Sequence, residues 1–207
     1  MSLKNLIDSN GNLIASEEGI FEQEKLALEI MRNTLGLSII KNNKRFILSE
    51  LELYFGGIGD KAHDWYRRNF KGQYGDGKIS RTSHETAKYQ AMKGPIYYFN
   101  RKGGGKHKRC DIVMGEEGVA VSFLIRAVLI DESFELVSGP NNALNAIGLT
   151  DDDLGKQVEF HDSREYVFSK GFYIEEPRLR IISGKAIGFS HGCLHDKKPW
   201  NLFLKRA

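Results

Sequence analysis

Ser49-Glu50-Leu51-Glu52-Leu53-Tyr54 alternates leucines with polar, charged or aromatic residues. In an extended strand successive side chains point to opposite faces, so this spacing puts Glu50, Glu52 and Tyr54 on one face and Leu51, Leu53 and Phe55 on the other. One face then carries two carboxylates beside an aromatic ring, ahead of Gly56 and His63. A carboxylate able to activate water next to a flat stacking surface suits hydrolysis of something planar, and a nucleobase is the obvious planar candidate. The plainer alternative is a half-buried strand whose outer face is merely solvated.

Working outward, Ile20, Phe21, Leu26, Leu28, Ile30, Met31 and Leu35 recur at helical spacing and Gly36 follows as a stop, which predicts a helix over 20–35. Leu37 to Ile40 and Arg45 to Tyr54 read as two strands joined by Lys41-Asn42-Asn43-Lys44, whose asparagines tolerate the positive φ of a hairpin turn. Residues 56–94 form a long stretch rich in Gly, Tyr, Arg and Lys, with a short helix expected around Asp60 to Phe70; loops of that length in a compact domain are usually functional. Ile96 to Asn100 and Cys110 to Met114 read as strands flanking Gly103-Gly104-Gly105. The run Val119 to Ile130 is too uniformly apolar for a surface strand and reads as the central one. Arg126 inside it needs a carboxylate, a phosphate or the end of the sheet, because a buried charge is costly alone. Asn141 to Ile147 reads as a helix opened by Ser138-Gly139-Pro140, an N-terminus suited to an anion. Strands are expected near Tyr166 to Tyr173, Leu179 to Ser183 and Trp200 to Lys205, completing an α+β pattern.

The 207 residues suit one domain spanning 1–207, with 1–19 a loosely ordered lead-in. Hydrophobic residues make up 41% and charged residues 28%, and no apolar run is long enough to cross a bilayer. The N-terminus lacks a signal-peptide core, so an intracellular, cytoplasmic protein is expected, and Cys110 and Cys193 alone give no disulfide framework. Net charge is only +3, yet Arg101, Lys102, Lys106, Lys108 and Arg109 crowd around His107, while Glu17, Glu18, Glu22, Glu24 and Glu29 gather elsewhere. Such a basic patch is attracted to phosphate backbones through counterion release; a solvated hairpin tip is the bland alternative.

Taken in order, these motifs resemble the alkyladenine (3-methyladenine) DNA glycosylases. Glu50 to Gly56 is similar to that family's Glu-x-Glu-x-Tyr-x-Gly strand, with His63 at the matching spacing. Lys93-Gly94-Pro95-Ile96-Tyr97-Tyr98-Phe99 resembles its Pro-Gly-x-x-Tyr-x-Tyr hairpin strand, and Leu124-Ile125-Arg126-Ala127 its Leu-Leu-Arg-Ala strand. Ser138-Gly139-Pro140 with Ala143-Leu144 and Ala146-Ile147-Gly148 matches the helix opened by Gly-Pro, and Lys198-Pro199-Trp200 the Pro-Trp-Arg end strand. The resemblance runs from about Leu26 to Phe203. It implies a single α+β domain with a curved, mainly antiparallel sheet flanked by helices. It further implies a monomeric, monofunctional base-excision repair enzyme that takes no cofactor or metal and acts on double-stranded DNA containing damaged purines. That setting is the nucleoid if bacterial and the nucleus if eukaryotic.

Carried over, Glu52 is the general base and Arg126 stands beside it and the attacking water. Tyr54, His63 and Phe99 sandwich the flipped base, with Tyr97 and Asp111 also in the pocket. The basic patch of Arg101, Lys102, Lys106, Lys108 and Arg109, an addition to the family's hairpin, is expected from its charge to contact DNA. Lys102-Gly103 takes the place of the family's aromatic wedge, and Asp111 that of an Asn that guards against normal guanine. Thr82, His84 and Thr86 replace a Thr-x-Arg-x-Arg segment, and Asn142 replaces a lysine after Gly-Pro. No lysine in the matched motifs stands as a Schiff-base nucleophile, so no lyase step is expected.

Three other classes compete. A damaged-DNA-binding module could keep the fold and hydrolyse little, given the altered wedge. A sugar hydrolase could use Glu50 and Glu52, about 7 Å apart on one strand face, as an acid/base pair. His191, Cys193, His195 and Asp196 could ligate zinc or iron, but a polar loop with a free thiol is the plainer reading without a second ligand cluster.

Overall fold

The computed structural model describes residues 20–57, 97–100, 110–113, 120–153, 159–178, 181–182, 185–186 and 200–207. Helix α1 spans Ile20–Thr34, and the chain turns at Gly36 into strand β1, Leu37–Lys41. Asn42 and Asn43 take φ of 52° and 60°, the left-handed pair a tight hairpin requires, and β2 follows over Lys44–Gly57. Strands β3 (Tyr97–Asn100), β4 (Cys110–Val113) and β5 (Ala120–Ile130) come next, then β6 (Leu136–Ser138). Helix α2 spans Pro140–Ile147, with Pro140 in its first turn and Gly148 at φ 77° closing it. After a 3₁₀ turn at Asp151–Asp153 come β7 (Phe160–Asp162), α3 (Arg164–Ser169), β8 (Phe172–Ile174), β9 (Ile181–Ile182), β10 (Lys185–Ala186) and β11 (Asn201–Arg206).

The architecture is α+β, built on one large antiparallel sheet in the order β3-β4-β5-β2-β1-β7, with β11 also pairing β2 and β8, and β6 pairing β5. On one side β2 is shared end to end: its first half pairs β1, its second half β11, and β5 runs along the other side. Over residues 46–53 and 123–129 both long strands are covered on both faces. Ile47, Leu48, Leu51, Leu53, Phe123, Ile125 and Val128 are fully buried, and α1 adds Ala27, Ile30 and Met31 while α2 adds Ala143, Leu144 and Ile147. The expectation that β5 is the central apolar strand therefore holds.

The stretch Tyr166 to Tyr173 departs from expectation: it is not one strand but helix α3 followed by the short β8. Its aromatics favour strands by propensity, but only Val167 is buried in α3, and Gly171 at φ 82° breaks the segment before Phe172. The start of α3 is organised by Asp162, whose carboxylate accepts hydrogen bonds from the backbone and side chain of Arg164. The Arg164 guanidinium holds the Asp162 carboxyl below its usual range. Strands β6, β7 and β10, three, three and two residues long, are too short to show a sequence pattern.

Gly36 ties these parts together, because its amide donates to Leu48 O at 3.0 Å while its φ is +79°. A Cβ there would stand 2.8 Å from Arg164 Cγ. Gly36→Ala is therefore expected to cost about 1–2 kcal/mol, the left-handed penalty alone, plus displacement of Arg164. An unchanged urea midpoint would show that the α1–β1 turn relaxes without strain.

Candidate active site

The site is organised by two compensating irregularities in the β2–β5 ladder. Leu48 pairs Val128 and Glu50 pairs Ala127, so Ser49 is an extra residue on β2; Leu51 then pairs Ile125, so Arg126 is an extra residue on β5. A bulge re-aims the side chain it carries. The bulged backbone is anchored by a hydrogen bond from Gly139 N to Arg126 O at 2.8 Å, which uses the amide at the head of α2.

Arg126 lies between the two carboxylates of the opening motif. Its Nη1 donates to Glu52 Oε2 at 2.9 Å, and its Nε lies 3.5 Å from Glu50 Oε1. Glu52 is 2% exposed and Arg126 8%, so the alternative of a solvated outer face is overturned. Removing both charges from water is costly, and a geometry this close is what offsets it. Arg126, the charge out of place in an apolar strand, thus has the carboxylate its burial demands. Glu50 is further engaged by Asn201 Nδ2 at 2.9 Å and Arg178 Nη2 at 3.6 Å. The Arg178 and Asn201 partners were missed in the sequence: 151 residues separate Glu50 from Asn201, and no local pattern announces the contact.

Register sets the other candidates in two cross-strand rows. Phe99 pairs Asp111, Asp111 pairs Leu124, and Leu124 pairs Glu52, so these positions form one cross-strand row. Tyr97, Val113, Ser122 and Tyr54 form a second row, with the row of Tyr98, Ile112, Phe123 and Leu53 between the two. At about 4.8 Å per strand, the Phe99 backbone stands roughly 14 Å from that of Glu52. His63, Arg101, Lys102, Lys106, Lys108 and Arg109 lie outside the described residues, as do the expected helix at 60–70, the Gly103-Gly104-Gly105 turn and His191, Cys193, His195 and Asp196. Among the described residues no group of three or more His, Cys, Asp or Glu is placed to hold a metal ion, and no helix is long and apolar enough to cross a membrane.

Chemically, a buried carboxylate fixed by a guanidinium can take a proton from water and can stabilise a developing positive charge. No family model matches the chain. It is 27% identical over 184 residues, 80% of its own length and 76% of the relative's, to a protein of Listeria welshimeri named "Putative 3-methyladenine DNA glycosylase". Proteins of the same name from Mycobacterium leprae and Listeria monocytogenes are 25% identical over 190 residues and 23% identical over 177. The similarity spans about 80% of the chain, so it is not confined to one motif.

Proposed function

We propose that this chain is a DNA repair glycosylase that flips an alkylated or deaminated purine from duplex DNA and hydrolyses its N-glycosidic bond. The buried Glu52–Arg126 pair carries this reading, and the names of the distant relatives support it. Glu52 deprotonates water, whose oxygen bonds to the anomeric carbon as the bond to the base nitrogen breaks and its electron pair leaves with the purine. Alkylation of a ring nitrogen makes the purine a good leaving group, so one carboxylate suffices there; a deaminated purine leaves as an anion and takes its proton from water. Arg126 fixes the plane of the Glu52 carboxylate through Oε2. Tyr54, His63 and Phe99 stack on the base, worth about 1–3 kcal/mol per contact, with Tyr97 and Asp111 completing the pocket. The chain acts as a monomer and the reaction balances without a cofactor.

The deciding experiment is excision from a duplex carrying hypoxanthine or ethenoadenine, followed on a gel after alkaline cleavage of the abasic product. Strand cleavage is expected. Tight binding of the lesion duplex without cleavage would instead favour the damage-binding module, a reading motivated by Lys102 in the place of an aromatic wedge and by Asp111.

The basic segment Arg101 to Arg109 supplies non-specific affinity in this reading. Each phosphate contact contributes about −0.9 to the log–log salt slope, so replacing Lys106 and Lys108 with Ala should flatten that slope by up to roughly 2 units. An unchanged slope would place the patch away from DNA.

A further inference from the structure

Glu50 has no task in the chemistry assigned to Glu52, yet it too is held by several partners. Its Oε1 accepts a hydrogen bond from Asn201 Nδ2 at 2.9 Å and lies 3.5 Å from Arg126 Nε and 3.6 Å from Arg178 Nη2. Asn201 is fixed from its other side, since its Oδ1 accepts from Arg178 Nε at 2.9 Å. The two residues also exchange both backbone hydrogen bonds, Arg178 N to Asn201 O at 2.9 Å and Asn201 N to Arg178 O at 3.1 Å. The Arg178 guanidinium lies over the Phe203 ring, 3.5 Å from its centroid, and Phe203 is the register partner of Glu50. Charges therefore alternate from a partly exposed guanidinium inward: Arg178, Glu50, Arg126, Glu52.

Arg126 Nε is a buried donor that makes no hydrogen bond among the described residues, and Glu50 is the counter-charge beside it. A guanidinium is a planar fork, and holding it on two edges fixes an orientation that one contact leaves free to turn. We propose that Glu50 is a positioning residue for the reaction, with Asn201 and Arg178 as its clamp. Glu50 holds the Nε edge of Arg126 so that Nη1 stays on Glu52 Oε2 while the substrate is in place. No bond is made or broken at Glu50, which separates this role from that of an acid in an acid/base pair. The inference rests on the reading of Glu52 as the base.

The test is a cycle of Glu50→Gln and Arg126→Lys in the full chain, read by single-turnover excision of hypoxanthine from a duplex. A misplacement of about 1 Å can cost about 100-fold in rate, so Glu50→Gln is expected to slow the rate at saturating enzyme by about 10- to 100-fold, with half-saturation changed less than about twofold. Lysine offers one point charge and cannot serve both carboxylates, so in the Arg126→Lys background Glu50→Gln should have less than about a threefold effect. Arg178→Met should slow excision several-fold and Arg178→Lys recover part of it. Multiplicative losses in the cycle, or a Glu50→Gln rate within about twofold of wild type, would overturn the proposal. Melting temperatures of the same four proteins give a reading independent of activity: non-additive losses support coupling of Glu50 to Arg126 and additive losses overturn it. A wild-type chain inert on every lesion duplex would overturn the glycosylase reading alone.

Discussion

Glu52→Gln is expected to slow single-turnover excision by about 1,000-fold, in the range a positioned general base contributes, while duplex affinity stays within a few fold. Glutamine keeps the shape of the side chain and an oxygen that can still accept from Arg126 Nη1, 2.9 Å away in the wild type. What it loses is the ability to take a proton from water. The substitution therefore separates chemistry from folding and from binding, which truncation to alanine in a site 2% exposed would not. Pre-steady-state excision and a fluorescence binding isotherm on the same lesion duplex make the comparison. Excision within a few fold of wild type would remove Glu52 from the role of base. A loss of binding equal to the loss of rate would assign it to recognition instead.

The parts of this molecule that were legible from sequence are those decided by local rules. Asn42-Asn43 announces a left-handed turn, Gly36 ends a helix, and the largely apolar run of β5 marks a strand buried on both faces. Arg126 was legible as a problem: a charge in that run had to find a partner. Which partner was decided by register, through the bulges at Ser49 and Arg126, and a bulge leaves no mark in composition. Alternation alone sends Ser49 and Glu50 to opposite faces, but it does not say that β5 also gains a residue opposite them. Tyr166-Val167-Phe168 shows the reverse failure, where strand propensity was strong and the local capping around Asp162 and Arg164 prevailed. The clamp of Arg178 and Asn201 on Glu50 depends on β11 returning beside β2, a contact between segments far apart in the chain.

Arg126→Met is expected to destabilise the protein by about 3–5 kcal/mol, the usual cost of breaking a buried pair from one side. At about 2–4 °C per kcal/mol for a chain of this size, the melting temperature should fall by roughly 6–20 °C. The reason is electrostatic: methionine fills a similar apolar volume, but it removes the cation that offsets Glu52, 2.9 Å away and 2% exposed, and that lies 3.5 Å from Glu50. Glu52 is the more deeply buried of the two carboxylates, 2% against 16% side-chain exposure, so most of the cost should fall on Glu52. Glu52→Gln in the Arg126→Met background should then recover much of the lost melting temperature, because a neutral amide tolerates burial better than a carboxylate without that guanidinium. Glu50→Gln in the same background should recover less. If neither double variant recovers any stability, the loss reflects packing of β5 against α2 and not charge. If Arg126→Met melts within a degree or two of wild type, the Glu52–Arg126 pair does not hold the two central strands together and its role is confined to the chemistry.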